Sequence, residues 1–178
     1  RKCVRMTVKA MNKESGILYV VATPIGNLAD ISERALEVLR TADAIACEDT
    51  RVTKKLLDRY DISTKTVSYH QHSKTQKIDY LIGLLESGKS VALVSDAGTP
   101  GISDPGNKLV EVVHERDGEV RVIPGPSAVT AALSVSGLPT DKFIFLGFAP
   151  TKKGREKFFS QVADSELTTV FYESTYRI

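Results

Sequence analysis

Cysteine and long apolar runs are both scarce in this sequence. Cys3 and Cys47 are the only two cysteines among 178 residues, and neither belongs to a CxxC pair or a Cys/His cluster. A disulfide framework and a zinc site are therefore unsupported, and the cysteine content favours a reducing cytosol. No apolar run approaches the roughly 20 residues that a membrane-spanning helix needs, so we expect a soluble, cytoplasmic protein without a membrane partner.

A strong charge of one sign is missing as well. The formal net charge is +2, although residues 1–15 hold five basic residues against one acidic residue. The overall charge therefore does not indicate a nucleic-acid partner, and binding of nucleic acid would need a local basic patch. We interpret residues 1–15 as a disordered leader or as residues added for expression, with a basic arm that touches phosphate as the alternative.

What the sequence does contain is an alternation of short apolar strands and amphipathic helices. The predicted strands cover residues 17–22, 42–47, 65–69, 90–95 and 120–123. The predicted helices cover residues 31–39, 52–60, 78–85 and 107–116, and a further helix ends at 134. This alternation predicts an α/β domain with a parallel sheet, which we place at residues 16–124, and Asp30 with Glu33 is predicted to cap its first helix.

A second unit is predicted over residues 125–178. After a Gly/Pro linker at residues 136–141, apolar segments at 143–148 and 168–172 are typical of strands. Two strands and a helix do not close a core of their own. We therefore interpret residues 125–178 as the beginning of a second α/β domain that is truncated here.

The sequence is organised around the segment from Lys89 to Gly106. An apolar strand ends abruptly at Asp96, and residues 96–106 then hold three glycines, two prolines and two aspartates. Such a composition does not continue a strand, and a ligand-binding loop is favoured because ligands bind beyond the carboxyl ends of parallel strands. The alternative is a tight turn that leads into a helix starting at Asp104 and Pro105.

Polar side chains also follow the second and third predicted strands. Glu48, Asp49 and Arg51 come directly after an apolar strand, where unpaired charges are costly to desolvate. The alternative is that Asp49 and Thr50 cap the next helix while Glu48 pairs with Arg51. His70 follows the third strand, and a metal site with His72 is only weakly indicated because no third ligand follows at a recognisable spacing.

Two further segments have functional interpretations. The P-G-P-S-A segment at residues 124–128 opens a helix whose free amides favour a polar or anionic ligand group, although plain helix initiation explains it equally well. A basic run at residues 152–157 is either a solvated face or a phosphate-binding surface.

Eight motifs together resemble a known family. They are L-Y-V-V-A-T-P-I-G-N-L-A-D-I, A-C-E-D-T-R, S-Y-H-Q-H, A-L-V-S-D-A-G-T-P-G-I-S-D-P-G, P-G-P-S-A, S-G-L-P-T-D, G-F-A-P and F-Y-E-S. Their order and spacing from Gly16 to Ile178 are similar to those of the bacterial small-subunit ribosomal RNA methyltransferases, which belong to the tetrapyrrole methylase superfamily. This chain has Thr175 and Tyr176 where the family usually has proline and histidine, and family members continue for about a domain's length beyond its end.

The resemblance implies methyl transfer from S-adenosylmethionine to the ribose 2′-hydroxyl of a cytidine in 16S rRNA, by a homodimer of two-domain subunits. The cofactor-binding residues that it implies are Ile25, Asp96, Ala97, Thr99, Ser127, Ala128 and Tyr172. The alternatives are C-methylation of a porphyrinoid by the same fold and a module that holds RNA or cofactor without turnover.

The proposed chemistry needs a proton acceptor and contacts to RNA. A ribose hydroxyl is a poor nucleophile near neutral pH, and the acceptors available at the strand ends are Glu48, Asp49 and His70. The predicted RNA contacts are Arg51, Lys152, Lys153 and Arg155. No metal ion is predicted to take part.

Overall fold

The computed structural model describes residues 11, 15–70, 75–104 and 106–177. Met11 and Ser15 are the described residues of the predicted leader. The rest of the leader, His72 and Pro105 lie outside the described residues. The chain divides into two units, Arg1–Pro126 and Ser127–Ile178. The domain boundary between residues 124 and 125 stays a prediction.

The helices and strands of the first unit alternate as the sequence predicts. In chain order they are β1 (Ile17–Val21), a 3₁₀ helix (Leu28–Asp30), α1 (Glu33–Thr41), β2 (Ala44–Cys47), α2 (Thr50–Arg59), β3 (Thr66–Ser68), α3 (Thr75–Glu86), β4 (Val91–Val94), α4 (Asn107–Glu115) and β5 (Glu119–Ile123). The second unit contains α5 (Ala128–Ser136), β6 (Phe143–Phe148), α6 (Arg155–Ala163) and β7 (Thr168–Tyr172). Among these, β6 and β7 have the predicted bounds.

The sheet of the first unit is parallel throughout. Its five strands have the order β3-β2-β4-β1-β5 within the described residues. The chain winds from β1 past β4 to β2 and β3, and then returns to β4 and β5, so the connections that leave the neighbouring strands β1 and β4 run in opposite directions. The predicted parallel α/β class is confirmed, and such a reversal is where open sheets of this class bind ligands.

Helices cover both faces of this sheet because the side chains of β4 alternate between the faces. Ala92 and Val94 pack in one core cluster with buried residues of α1 and α2. Val91 and Leu93 pack in the other with buried residues of α3 and α4. A strand buried on both faces has an unbroken apolar sequence, which explains the V-A-L-V pattern of β4.

The start of α1 differs from the prediction. Ser32, not Asp30, is the N-cap, and its hydroxyl accepts a hydrogen bond from the amide of Ala35 at 3.1 Å. Asp30 ends the preceding 3₁₀ helix, whose own N-cap is Asn27. The capping box predicted for Asp30 and Glu33 is therefore wrong, because a separate helical turn occupies the residues before Ser32.

The second unit is built around a pair of strands. β6 and β7 run parallel, and the amide of Ala149 donates to the carbonyl of Tyr172 at 3.0 Å just beyond β6. Most side chains of β6 and β7 are half-buried or exposed. Across the described residues of both units, no helix is long and apolar enough to cross a membrane.

Candidate functional site

The turn after β1 and the loop after β4 are joined by backbone hydrogen bonds. The amide of Thr23 donates to the carbonyl of Gly98 at 2.9 Å, and the amide of Gly98 donates back to the carbonyl of Thr23 at 3.1 Å. Gly98 has a φ of 83°, in the left-handed region that a side chain would strain. The carboxyl ends of two neighbouring strands therefore form one continuous backbone surface.

Two buried hydroxyl groups hold this junction. The side chain of Thr23 donates to the carbonyl of Ser95 at 3.0 Å and lies 3.4 Å from the carbonyl of Gly98. The hydroxyl of Ser95 lies 3.3 Å from the carbonyls of Ala97 and Gly98. Neither residue was predicted to have a role. The contacts of Thr23 span more than 70 residues and leave no local sign in the sequence, whereas Ser95 bonds the loop that directly follows it.

Ile25 lies against the same loop. A Cβ atom placed on Gly98 would stand 3.5 Å from Cγ2 of Ile25 and 3.8 Å from the carbonyl oxygen of Pro126. The side chain of Ile25 is 37% exposed although it is apolar. The first unit therefore brings together the turn after β1, the loop after β4 and the P-G-P segment, three of the segments in which cofactor contacts were predicted.

The loop after β4 is long and irregular. Asp96 and Ala97 are exposed, Thr99 is half-buried, and α4 begins only at Asn107. A tight turn leading into a helix at Asp104 and Pro105 is therefore wrong. The loop presents two predicted cofactor residues to solvent beside the junction with the turn after β1.

The A-C-E-D-T-R segment joins β2 to the same loop. The backbone amide of Asp49 donates to Oδ1 of Asp96 at 3.1 Å. The Asp49 carboxylate also accepts a hydrogen bond from the amide of Arg51 at 2.8 Å, as the N-cap of α2. Asp49 is thus both a helix cap, as the alternative prediction stated, and a backbone link to the loop after β4.

Arg51 pairs with Asp49 and not with Glu48. Its guanidinium forms an ion pair with Oδ2 of Asp49 at 2.6 Å, and this hydrogen bond holds the pKa of the Asp49 carboxyl at about 2. The alternative in which Glu48 pairs with Arg51 is therefore wrong, because the cap position directs the Asp49 carboxylate toward the first turn of α2. Arg51 itself is 87% exposed, so its outer face is open to a ligand.

No ion pair to Glu48 is formed by the cations in the part of the chain that the structure describes. Burial raises its pKa, and the negative charges of Asp96, Asp104 and Asp49 raise it further. Burial also raises the pKa of Asp104, against a hydrogen bond from Ser95 that lowers it. Carboxylates from two strand ends therefore share one edge of the sheet, and Glu48 and Asp104 are the members of this group whose proton affinity is increased.

His70 follows β3 at the same end of the sheet and is exposed. Its predicted metal partner His72 lies outside the described residues. In the parts of the chain that the structure describes, no group of three or more His, Cys, Asp or Glu side chains could hold a metal ion.

The second unit has a pocket of its own. It has a volume of about 550 Å³, and three predicted site residues line it, Ala128, Arg155 and Tyr172. The Tyr172 ring contacts the rings of Phe145 and Phe148 at centroid distances of 5.0 and 5.1 Å. Ser127 is the N-cap of α5 but its side chain makes no capping hydrogen bond.

A buried carboxylate that was not predicted as a site residue, Glu173, lines this pocket together with Arg155 and Arg177. The side chain of Glu173 is only 8% exposed. Its carboxylate forms ion pairs with Arg155 and with Arg177, and the distance to Nη2 of Arg177 is 2.7 Å. The hydrogen bond from Arg155 is the main reason that the pKa of Glu173 is lowered. The only prior sign was the charge of Glu173 directly after an apolar strand.

The predicted RNA-binding run is consequently heterogeneous. Lys152 and Lys153 are exposed in the turn before α6. Arg155 is occupied by Glu173, donates to the carbonyl of Pro150 at 3.1 Å and lies 4.8 Å from the centroid of the Phe159 ring. Two of the three residues are therefore open to a polyanion, whereas the third holds the second unit together.

Comparison with known proteins identifies the family. The sequence model of the tetrapyrrole (corrin/porphyrin) methylases matches residues 17–178. This chain belongs to the tetrapyrrole methylases. The predicted membership of that superfamily is thereby confirmed, and the parallel sheet with its strand-end loops is the tetrapyrrole methylase sheet.

Two curated relatives are about half identical to this chain. The ribosomal RNA small subunit methyltransferase I of Synechocystis sp. is 51% identical over 164 residues, which cover 92% of this chain and 59% of that protein. The protein of the same name from Vibrio cholerae is 52% identical over 171 residues, which cover 96% of this chain and 59% of the relative. The chain thus spans about 59% of the length of these relatives.

Solved structures agree on the tetrapyrrole methylase fold. A diphthine synthase structure has a TM-score of 0.65 at 18% identity and covers 91% of this chain and 65% of its own. Uroporphyrin-III-C-methyltransferase from Thermus thermophilus has a TM-score of 0.56 at 21% identity, covering 76% and 60% of the two chains. At such identities the likeness concerns the fold alone.

Proposed function

We propose that this protein transfers a methyl group from S-adenosylmethionine to the ribose 2′-hydroxyl of a cytidine in 16S rRNA. The observation that carries the proposal is the identity of about half with relatives named ribosomal RNA small subunit methyltransferase I. The strand-end geometry of the first unit supports the proposal. The segments that carry Glu48 and Ile25 both contact the loop after β4, which carries Asp96.

The chemistry of this edge fits a cationic methyl donor. Glu48, Asp49, Asp96 and Asp104 lie close enough for their charges to interact, and Arg51 forms an ion pair with one of them, Asp49. A ligand that carries a sulfonium and an ammonium group complements such an acidic edge. The exposed apolar side chain of Ile25 would suit the base of the same ligand.

The residues that would hold the cofactor are those of the resemblance. In the first unit they are Ile25, Asp96, Ala97 and Thr99, and in the second unit they are Ser127, Ala128 and Tyr172. When bound, the cofactor supplies an electrophilic methyl group. The protein supplies orientation and a place for the proton that the acceptor hydroxyl loses.

Glu48 is the residue best suited to take that proton. Its raised pKa makes its carboxylate a stronger base than an ordinary glutamate, and it lies at the end of β2 beside the loop after β4. Asp49 is a weaker candidate because the Arg51 hydrogen bond lowers its pKa to about 2. His70 is the alternative base, from the end of β3.

RNA would reach the site across exposed cations. Arg51 presents a guanidinium that is fixed by Asp49 and open on its outer side. A guanidinium fixed in this way can bind a phosphate with little further loss of side-chain freedom. Lys152 and Lys153 are the accessible members of the second basic run, whereas the pairing of Arg155 with Glu173 argues against an RNA contact from that residue.

The assignment of the base is tested by Glu48→Gln in an assay of methyl transfer from labelled S-adenosylmethionine to small ribosomal subunits. The substitution removes the proton acceptor and keeps its size, so the rate is expected to fall about 100-fold or more. For the unsubstituted protein, the rate should rise as the pH increases through the raised pKa of Glu48, because only the deprotonated form accepts a proton.

His70→Ala is the matched control. It should keep a normal rate and pH profile, and both variants should bind S-adenosylhomocysteine as the unsubstituted protein does in calorimetric titration. A normal rate for Glu48→Gln contradicts the assigned base. Methylation of uroporphyrinogen instead of ribosomal subunits supports the porphyrinoid alternative, and ligand binding without methyl transfer supports the binding module.

The remaining parts of the proposal concern assembly and location. We expect a homodimer, as the resemblance implies, and a cytoplasmic protein, as the low cysteine content favours. Light scattering coupled to gel filtration would report the mass of the assembly. That residues 125–178 begin a larger α/β domain also stays a prediction.

A further inference from the structure

Helix α2 carries a concentration of positive charge that the proposed reaction does not explain. Its ten residues include four basic side chains and one acidic side chain. The whole chain has a net charge of only +2. This one helix therefore has more net positive charge than the complete sequence.

Three of the four cations lie on one side of α2. Arg51, Lys55 and Arg59 follow one another at intervals of four residues, so they form a stripe along the helix. We call these three residues the basic stripe. A rise of 1.5 Å per residue separates neighbouring members by about 6 Å along the axis.

The basic stripe is open to solvent. Lys55 and Arg59 are exposed, and neither forms an ion pair with any residue that the structure describes. The fourth cation, Lys54, differs because it pairs with Asp58 at 3.0 Å. The opposite side of α2 is buried through Thr53, Leu56 and Leu57, so the stripe faces away from the core.

The stripe begins at the candidate site. Arg51 lies in the first turn of α2, and the cap of that turn, Asp49, is hydrogen-bonded through its amide to Asp96. A groove of about 710 Å³ lies beside Arg51. Its lining combines the hydroxyl-bearing residues Thr50, Ser63, Thr64 and Thr66 with Lys54 and with the acidic residues Asp58 and Asp61. Hydroxyl groups of this kind contact phosphate and sugar oxygens in nucleic-acid complexes.

We propose that the basic stripe binds successive phosphates of the RNA strand that flanks the methylated nucleotide. The inference rests on the proposed function, because it assumes an RNA acceptor at the site where the stripe begins. Single cations at about 6 Å intervals, without acidic partners on the stripe beyond Asp49, suit a polyanion with regularly spaced charges. Contacts of this type position the strand without reading its sequence.

The test is the salt dependence of RNA binding by Lys55→Gln/Arg59→Gln. The probe is a fluorescein-labelled single-stranded RNA of twelve nucleotides containing cytidine, followed by anisotropy between 50 and 200 mM KCl. Each lost phosphate contact lowers the slope of log affinity against log salt by about 0.7 for a single strand, so the double variant should lose about 1.4. Between 50 and 200 mM KCl, the ratio of the RNA affinity of the unsubstituted protein to that of the double variant should therefore fall by about sevenfold.

A matched control separates the stripe from a general effect of charge. Lys89→Gln/Lys108→Gln removes the same charge from the amino end of β4 and from α4, which packs on the other face of the sheet. We expect the control to keep the slope of the unsubstituted protein. Equal slopes for the stripe variant and the unsubstituted protein, or equal losses in both double variants, overturn the inference.

Failure of the stripe is distinguishable from failure of the proposed function. If the unsubstituted protein binds the RNA and the stripe variant binds it identically, only the stripe is wrong. If the unsubstituted protein does not bind the RNA at all, both the stripe and the RNA acceptor are wrong. If the slope falls as expected but ribosomal subunits are never methylated, the stripe stands and the methyl-transfer proposal fails.

Discussion

The two units of the chain differ in how much of their apolar surface is buried. In the first, helices cover both faces of a five-stranded sheet, and every residue of β2 and β4 is buried. In the described part of the second, the buried apolar residues are Val129, Leu133 and Ala149. Phe143, Ile144 and Phe148 of β6 are 37–57% exposed, so apolar burial contributes less there.

Ion pairs and aromatic contacts contribute a larger part of the side-chain packing in the second unit than in the first. Glu173 holds Arg155 and Arg177, and the rings of Phe158, Phe159 and Phe171 meet edge to face at centroid distances of 5.4–5.7 Å. Such networks depend on every partner being present, whereas a core cluster distributes its free energy over many contacts. The rigid part of the candidate site is therefore expected to be the strand ends of the first unit.

The largest expected effect comes from the core of the first unit. Leu93→Ala on β4 should lower the free energy of unfolding by about 2–5 kcal/mol, because Leu93 is 1% exposed and its truncation leaves a cavity. Phe148→Ala on β6 is the counterpart, and since Phe148 is 57% exposed its cost should be under about 1 kcal/mol. Urea unfolding followed by circular dichroism measures both, and comparable losses would contradict the contrast between the units.

A smaller effect is expected from the junction at the strand ends. Thr23→Val keeps the volume of the side chain but leaves the carbonyl of Ser95 without its buried donor, which should cost about 1–3 kcal/mol. Affinity for S-adenosylhomocysteine should fall as well, because the loop that carries Asp96 loses a fixed anchor. Thr41→Val is the control, since its hydroxyl bonds the carbonyl of Glu37 within an exposed helix end.

Local sequence was sufficient for the elements whose structure depends on local rules. β6 and β7 have the predicted bounds, and the composition of residues 96–106 correctly excluded a regular element before Asn107. The parallel class followed from the alternation of strands and helices. The polar residues Glu48 and Asp96 were each predicted to follow a strand, and their charges interact in the structure.

Contacts between distant residues were not predictable in the same way. Thr23 reaches Ser95 across 72 positions, and Arg155 reaches Glu173 across 18 positions. Neither pair has a periodic or spacing signature, because the geometry arises only once the strands have paired. The partner of Arg51 was also misjudged, since the choice between Glu48 and Asp49 depends on which of them occupies the cap position.

The smallest expected effect is a pH dependence at the Asp49 cap. The folded pKa of Asp49 is about 2, lowered from an ordinary value of 3.8 by the Arg51 hydrogen bond. Its contribution to stability is therefore complete above about pH 4 and is lost as the pH falls toward 2. Asp49→Asn keeps a capping side chain but no charge, so its stability deficit at neutral pH should be small and should vanish near pH 2.

Arg51→Gln sharpens this test. Without the guanidinium the pKa of Asp49 returns toward its ordinary value, so Arg51→Gln should remove the same pH-dependent contribution as Asp49→Asn. The double variant should then add little to either single variant, because the two side chains act as one pair. Urea unfolding between pH 2 and pH 7 measures the cycle, and additive losses would show that the two side chains stabilise α2 independently.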